Sequence, residues 1–355
     1  MAITKIPAAG FTGNNFRNII INGDMSIAQR NTSVASITTD GYYTTDRWNH
    51  SINLGTWSID QSTDVPTGQG FAKSHKMTCT TGGSTSAGTQ TYLHTRLEGQ
   101  NLQYLKKGTA NAESLTLSFW GKSATTTGTM TIELFDTDNS RQISKQISLT
   151  TSWTKYTITY DADTTGTFNN DNGASLYVLF WVSAGSNFNS GTLSETWTSN
   201  TNANRAVGQT NFAVTNTELY ITGVQLEAGT SSSDFEFLPI DVNLQRCLRY
   251  YYLQTSGSFK RVCTATAFNS TIIDGTVFFK TTMRTTPTLV ITSGTDYYRA
   301  VGNGSGDSFD TMLILEGNTN QIGLRNNTQF SGTQGYSYFI NTNNASSSVA
   351  FDGEL

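Results

Sequence analysis

Charge is scarce in this chain: Asp, Glu, Lys and Arg make up 14% of its 355 residues, against roughly 25% in ordinary globular domains. Lys and Arg number 22 and carry no basic block, which excludes a phosphate-binding surface and leaves no nucleic-acid partner to expect. The start, MAITKIPAAGFTGNNF, has one Lys and lacks the apolar core of a signal peptide. No window approaches the roughly 18 apolar residues of a membrane span, so no membrane insertion is expected. The three cysteines, Cys79, Cys247 and Cys263, are odd in number and lack metal-type spacing. They read as buried or incidental thiols of a chain made in a cytosol and folded without disulfides.

What fills the space is Thr, Ser, Asn, 32 Gly and 11% aromatic residues. Aromatics at that level exclude disorder, and with so few helix formers the composition is that of an all-β protein with many turns. Residues 114–136, SLTLSFWGKSATTTGTMTIELFD, show two runs of period-two alternation around a Ser/Thr/Gly tip, which reads as a hairpin with one face in a core. Trp120 and Phe135 then fall on the face that ought to be wet. SLYVLFWVS (175–183) is apolar on both faces, as in a mid-sheet strand whose outer side is covered. Further strands are expected at 56–62, 72–80, 90–97, 141–149, 153–160 and 217–227. NIIINGDM reads as a short buried strand ending in an Asn22-Gly23-Asp24 turn, and EGQNLQYLKK as a helical turn.

PIDVNLQRCLRYYYLQ (239–254) has the period of a helix, with Leu244, Leu248 and Tyr251 on one stripe. Three consecutive tyrosines, Tyr250 to Tyr252, cannot face one core from a helix, so some must meet another domain or chain. The expected organisation is an extended arm over 1–17, a jelly-roll over 18–238, a linking helix over 239–254 and a smaller β-sandwich over 255–355.

The order NGDMSIAQR, DRW, SLTLSFWGKS, TTSWTKYTITY, SLYVLFWVSAGS and TELYITGVQLEAG resembles the jelly-roll of family 4/9-type carbohydrate-binding modules, of the galactose-binding-like class. The whole chain is similar to virion structural proteins of tailed bacteriophages described as tail fibre proteins. Asn18 to Arg30, Tyr220 to Gly229, Cys247 to Tyr251, Met283 to Thr288 and Gly353 to Leu355 carry that likeness. The resemblance implies a virion protein made in the host bacterial cytoplasm, a homotrimer, and an arm that docks on another virion protein. Calcium in the carbohydrate-binding relatives lies near an Asp of the closing strand, where this chain has Gly223; Asp24 and Glu227 are the remaining oxygen candidates. No cofactor is expected.

No pair of carboxylates shows a spacing that demands catalysis. His50, His75 and His94 stand on separate segments with no nucleophile motif to serve, and read as isolated residues. GNGSG (302–306) reads as a hairpin loop, since no Lys-Ser/Thr and no helix follow it. The long segment 183–211 is the candidate site, because extended loops on rigid scaffolds often carry function. Trp197 offers a stacking face for a sugar, and Asn187, Asn189, Glu195 and Arg205 offer hydroxyl partners. The competing reading is that Trp197 anchors the loop on a neighbouring subunit. The expectation is a non-enzymatic phage attachment protein that binds host surface glycans. The alternatives are a capsid-decorating, cement or head-fibre protein bound to the capsid lattice, and a glycan depolymerase.

Overall fold

The computed structural model describes residues 16–355, so the expected arm, apart from Phe16 and Arg17, lies outside the described residues. Thirteen strands build the first unit in chain order: β1 (Ser33–Ile37), β2 (Gly41–Tyr42), β3 (Asn49–Ser51), β4 (Thr56–Ser62), β5 (Ser74–Thr81), β6 (Gln90–Glu98), β7 (Leu115–Ser123), β8 (Gly128–Asp136), β9 (Arg141–Leu149), β10 (Thr154–Tyr160), β11 (Ala174–Ala184), β12 (Thr198–Ser199) and β13 (Glu218–Ala228). They form two antiparallel sheets, β1-β4-β5-β13-β7-β10 and β12-β9-β8-β11-β6-β3-β2. Alternate residues of both meet in one core that includes Trp57, Ile59, Leu117, Phe119, Ile132 and Phe180, as two sheets packed face to face require.

The expected hairpin over 114–136 does not form. β7 pairs with β10 and β13 in the first sheet, whereas β8 pairs with β9 and β11 in the second. The Ser/Thr/Gly tip therefore carries the chain from one sheet to the other. Alternation fixes which side chains enter the core; it does not choose the strand's neighbour. Trp120 and Phe135 consequently lie on the outer faces of different sheets.

NIIINGDM is buried without becoming a strand. Backbone bonds from Ile19 N to Leu226 O and from Val224 N to Gly23 O tie it to the closing strand, and two asparagine side chains reinforce the join. Asn18 Nδ2 donates to Val224 O at 3.0 Å, and Asn18 Oδ1 accepts from Ile20 N and Leu226 N. Asn22 bridges Ile27 O and Asp46 O at 2.9 Å each. Between them, Gly23 lies so close to the closing strand that a Cβ there would sit 2.0 Å from Val224 O. EGQNLQYLKK forms two 3-10 turns, Gly99–Asn101 and Gln103–Leu105.

After a single-turn helix α1 (Ser186–Asn189), the longer helix α2 spans Ile240–Leu248. It is shorter than the expected helix, because the chain turns at Arg249 and Tyr251–Ser256 runs on as a strand. That strand joins Thr288–Ile291 and Ser348–Asp352 in a three-stranded sheet facing a seven-stranded one. Both contribute to a second core containing Tyr252, Val262, Ile273, Tyr298, Ile340 and Phe351. The fold is thus all-β: a jelly-roll sandwich, a short helix and a smaller β-sandwich. Gly302 to Ser305 closes the hairpin expected there.

The tyrosine run finds its partners within the chain. Tyr250 packs with Ile21, Ile27 and Cys247, the ring of Tyr251 lies 3.7 Å under the Arg30 guanidinium, and Tyr252 enters the second core. A helix end followed by a strand sends the three rings in different directions, so no second chain is needed to bury them.

Candidate functional site

The outer face of the second jelly-roll sheet is unusually apolar and aromatic. Strand parity places Tyr92, His94 and Arg96 of β6, Thr131, Glu133 and Phe135 of β8, and Tyr177, Leu179 and Trp181 of β11 on this face. Two coverings leave part of it open.

The loop between β11 and β13 covers one end. Phe188 packs on Trp181 with ring centroids 5.6 Å apart. Arg205 Nε and Nη2 donate to the two oxygens of fully buried Glu133 at 2.8 and 3.1 Å, and Trp181 Nε1 adds a third bond at 2.9 Å. Burial pushes the Glu133 carboxyl upward, and Arg205 pulls it back toward ionisation. Gln142 and Ser144 of β9 fasten the loop further, through Ser194 and Arg205 O.

The chain's last residues cover the other end. Glu354 pairs with Arg30 and Arg47, and the Leu355 carbonyl accepts from Arg96 and Tyr42. Arg284 donates to Gly353 O and Glu354 O at 2.7 Å each. Between the two coverings remain the partly exposed side chains Tyr92, Arg96, Phe135 and Tyr177. Tyr177 and His94 are parallel, 5.7 Å apart, and the Arg96 guanidinium lies 4.9 Å from the Tyr177 centroid. Arg96 Nε donates to His94 Nε2 at 3.1 Å, which assigns the imidazole proton to Nδ1. This Nδ1 has no partner among the described residues. Tyr92 links His94 to Trp181, with centroid distances of 5.3 and 5.1 Å.

The five residues expected to form a sugar site do not gather into one cluster. Arg205 is turned inward onto Glu133 and stacks at 4.8 Å from Phe135, so its charge is already neutralised by the protein. Asn189 Nδ2 donates to Ala184 O at 2.8 Å and Asn187 is exposed beside it on α1. Glu195 is exposed. Trp197 lies elsewhere, packed on the edge of the jelly-roll core, with its indole N–H donating to Asp161 O at 2.8 Å and Lys107 Nζ 5.4 Å from its ring. A ring used in this way holds the loop to its own subunit. Trp197→Ala is expected to cost about 2 kcal/mol, less than the roughly 3–5 of a fully buried ring, and to leave glycan binding in place. Urea unfolding with a parallel binding assay checks both halves.

None of the three histidines is isolated: His94 packs with Arg96 and Tyr177, and the other two meet each other. His50 Nε2 meets His75 Nε2 at 2.9 Å in the buried space between the sheets. His50 Nδ1 lies 3.2 Å from Gly41 O, and His75 Nδ1 lies 2.7 Å from Thr45 Oγ1. One proton arrangement satisfies every bond: His50 donates from Nδ1 to Gly41, His75 donates from Nε2 to His50, and Thr45 donates to His75 Nδ1. Both rings are then neutral. Burial lowers His50 to about 4, and it lowers His75 well below the usual value with help from His50.

Among the described residues, no three His, Cys, Asp or Glu side chains are placed to share a metal ion, and no helix is long and apolar enough to cross a membrane. Asp24 accepts from Ser26 and Asn243, and Glu227 from Ser233 and Gln225. Gly223 sits at φ 62° beside a bulge in β13. A Cβ there would lie 2.5 Å from the Phe71 ring, so an aromatic occupies the space that the calcium-binding resemblance gives to an Asp side chain.

No family model matches the chain, and no curated protein matches it. Solved structures align loosely. The enzymatically active domain of tailspike protein 4 of bacteriophage CBA120 aligns at 12% identity and TM-score 0.32, over 60% of this chain and 22% of that one. The CBM22-1 xylan-binding domain of Paenibacillus barcinonensis Xyn10C aligns at 13% identity and TM-score 0.29, over 56% of this chain and 94% of that domain. The CBM22-1–CBM22-2 tandem of the same protein aligns at 10% identity and TM-score 0.28, over 93% and 98%.

Proposed function

We propose that the chain is a non-enzymatic glycan-binding protein and that its binding surface is the open strip of Tyr92, Arg96, Phe135 and Tyr177, with buried His94 stacked against Tyr177. The observation that carries this reading is the combination of partly exposed rings with one guanidinium, held on a rigid sheet between two fixed coverings. Aromatic faces take the apolar side of a sugar ring, and a few placed polar groups orient its hydroxyls. Each contact of this kind is weak, so useful affinity comes from several copies on one object. Binding of the purified protein to a glycan array is expected, with Tyr177→Ala losing at least tenfold while its thermal unfolding stays near that of the parent. An array signal that Tyr177→Ala leaves intact would remove the strip from consideration.

The motif series from Asn18 to Leu355 supports placing this surface on a phage tail fibre, as a homotrimer, in contact with host glycans. The capsid-decorating alternative differs in location. Antibody-gold labelling of purified particles is expected on the tail, and sedimentation is expected to give a trimer mass. Label on the head, or a monomer at micromolar concentration, contradicts the corresponding part.

A further inference from the structure

A cavity of about 350 Å³ lies at the end of β6. Its walls are the end of β6 with the two 3-10 turns that follow, the outer side of α2, and the segment from Phe16 to Ile21. A volume of this order holds a small ligand.

Its electrostatics are unbalanced. Arg249 donates through Nε and Nη2 to Glu98 at 2.8 and 2.7 Å, and Tyr250 and Gln100 also donate to that carboxylate. Burial works against the charge on Glu98, yet these donors outweigh it and hold the group below its usual range. Arg249 and Glu98 thus cancel. Arg246 has no such partner. Among the described residues its guanidinium has one hydrogen-bond acceptor, Asn18 O, at the long distance of 3.5 Å, with the Phe16 ring at 5.9 Å; the Glu236 carboxylate, held by Phe16 N and Asn18 N, acts on it without forming an ion pair. Residues 1–15 contain no Asp or Glu and add no further carboxylate side chain. Among the described residues, most of the five N–H donors of this permanently charged group are therefore unused, and the residue lines the cavity. Burial disfavours the charge on Arg246, and nearby groups, Glu236 among them, offset that only in part.

The rim supplies the rest of a recognition set. Tyr104 is half exposed, at 50%, and Gln100 and Asn101 are exposed beside it. A planar guanidinium pairs with a carboxylate through two parallel bonds, the tyrosine ring gives an apolar face, and the amides match hydroxyls.

We infer that this cavity binds a sugar acid, a hexuronic acid unit, with Arg246 as the counter-ion of its carboxylate and Tyr104 against its ring. The choice of a sugar to carry the carboxylate rests on the glycan-binding reading above; the need for an anion does not.

The test uses the full chain, with D-glucuronate, methyl glucoside and acetate as probes in calorimetric or NMR titrations. Glucuronate is expected to bind saturably and acetate at least tenfold more weakly, with no binding of methyl glucoside. Arg246→Met and Tyr104→Ala should each weaken glucuronate at least tenfold, and added salt should weaken it in the parent. Tyr177→Ala should leave it unchanged, which separates failure here from failure of the aromatic strip. If Arg246→Met does not fold, Arg246→Lys, which keeps the charge without the fork, should fold and lose affinity. Glucuronate bound no better than acetate, or equally by parent and Arg246 variants, or not at all, overturns the inference.

Discussion

Arg205→Met is expected to destabilise the protein by about 3–5 kcal/mol, the usual cost of leaving one charge of a buried pair alone. Glu133 is fully buried and keeps only the Trp181 indole N–H once the guanidinium is gone. The double change Arg205→Met with Glu133→Gln should recover most of the loss, because the remaining amide carries no charge to desolvate. The loss should also reach beyond stability. Arg205 ties the loop to the sheet next to Phe135 and Trp181, so the single variant should expose the loop to proteolysis while the second sandwich stays resistant. Chemical denaturation of the single and double variants measures the coupling directly. A loss below about 1 kcal/mol for Arg205→Met would mean that the pair holds nothing together.

Acid is expected to unfold the jelly-roll through the His50–His75 pair. Each ring is neutral and buried in the folded chain, with His50 lowered to about 4 from the 6.5 of an unperturbed imidazole. The unfolded chain therefore binds protons that the folded chain refuses, and stability falls as pH drops from about 6.5 toward 4. For His50 alone the loss approaches about 3 kcal/mol at the lower end. His75 and His94 act in the same direction. Two groups oppose them: burial raises Asp46 to about 6 and also raises Glu133. A carboxyl with a raised folded value takes up its proton first in the folded state, so it gains stability for the chain as pH falls. Comparison with His50→Leu/His75→Leu isolates the imidazole contribution. Between pH 7 and 5 the parent should lose more melting temperature than the double variant, and equal slopes would remove the pair as the cause.

Strand positions were legible in the sequence wherever alternation was clean. The expected 141–149 strand coincides with β9, and the doubly apolar 175–183 run is β11, covered on its outer side by the loop and flanked by β6 and β8. Pairing was not legible, because β7 and β8 alternate as hairpin strands do while belonging to different sheets. The helix period ran on past Leu248 because Tyr251 falls at the right spacing by coincidence, and only the tertiary fold shows the chain extending there. His50 and His75 lie on strands of different sheets and meet across the core, a contact that no local spacing announces.

The site shows the same division. Loop length drew attention to 183–211, and the loop does close over an aromatic face, but Trp197 and Arg205 are spent in holding it there. The strip itself comes from three strands. Tyr92, Phe135 and Tyr177 become neighbours only through the β6-β11-β8 register. The signal available was the surplus of aromatic residues at outward parity, Phe135 and Tyr177 among them, in strands whose inward residues already filled a core.

The most direct measurement is a crystal structure of the protein with an oligosaccharide chosen from the array. The account predicts a sugar ring lying on Tyr177 and Phe135, with its hydroxyls reaching Arg96. Density for the sugar on the exposed loop residues around Trp197, with the strip left bare, would contradict it.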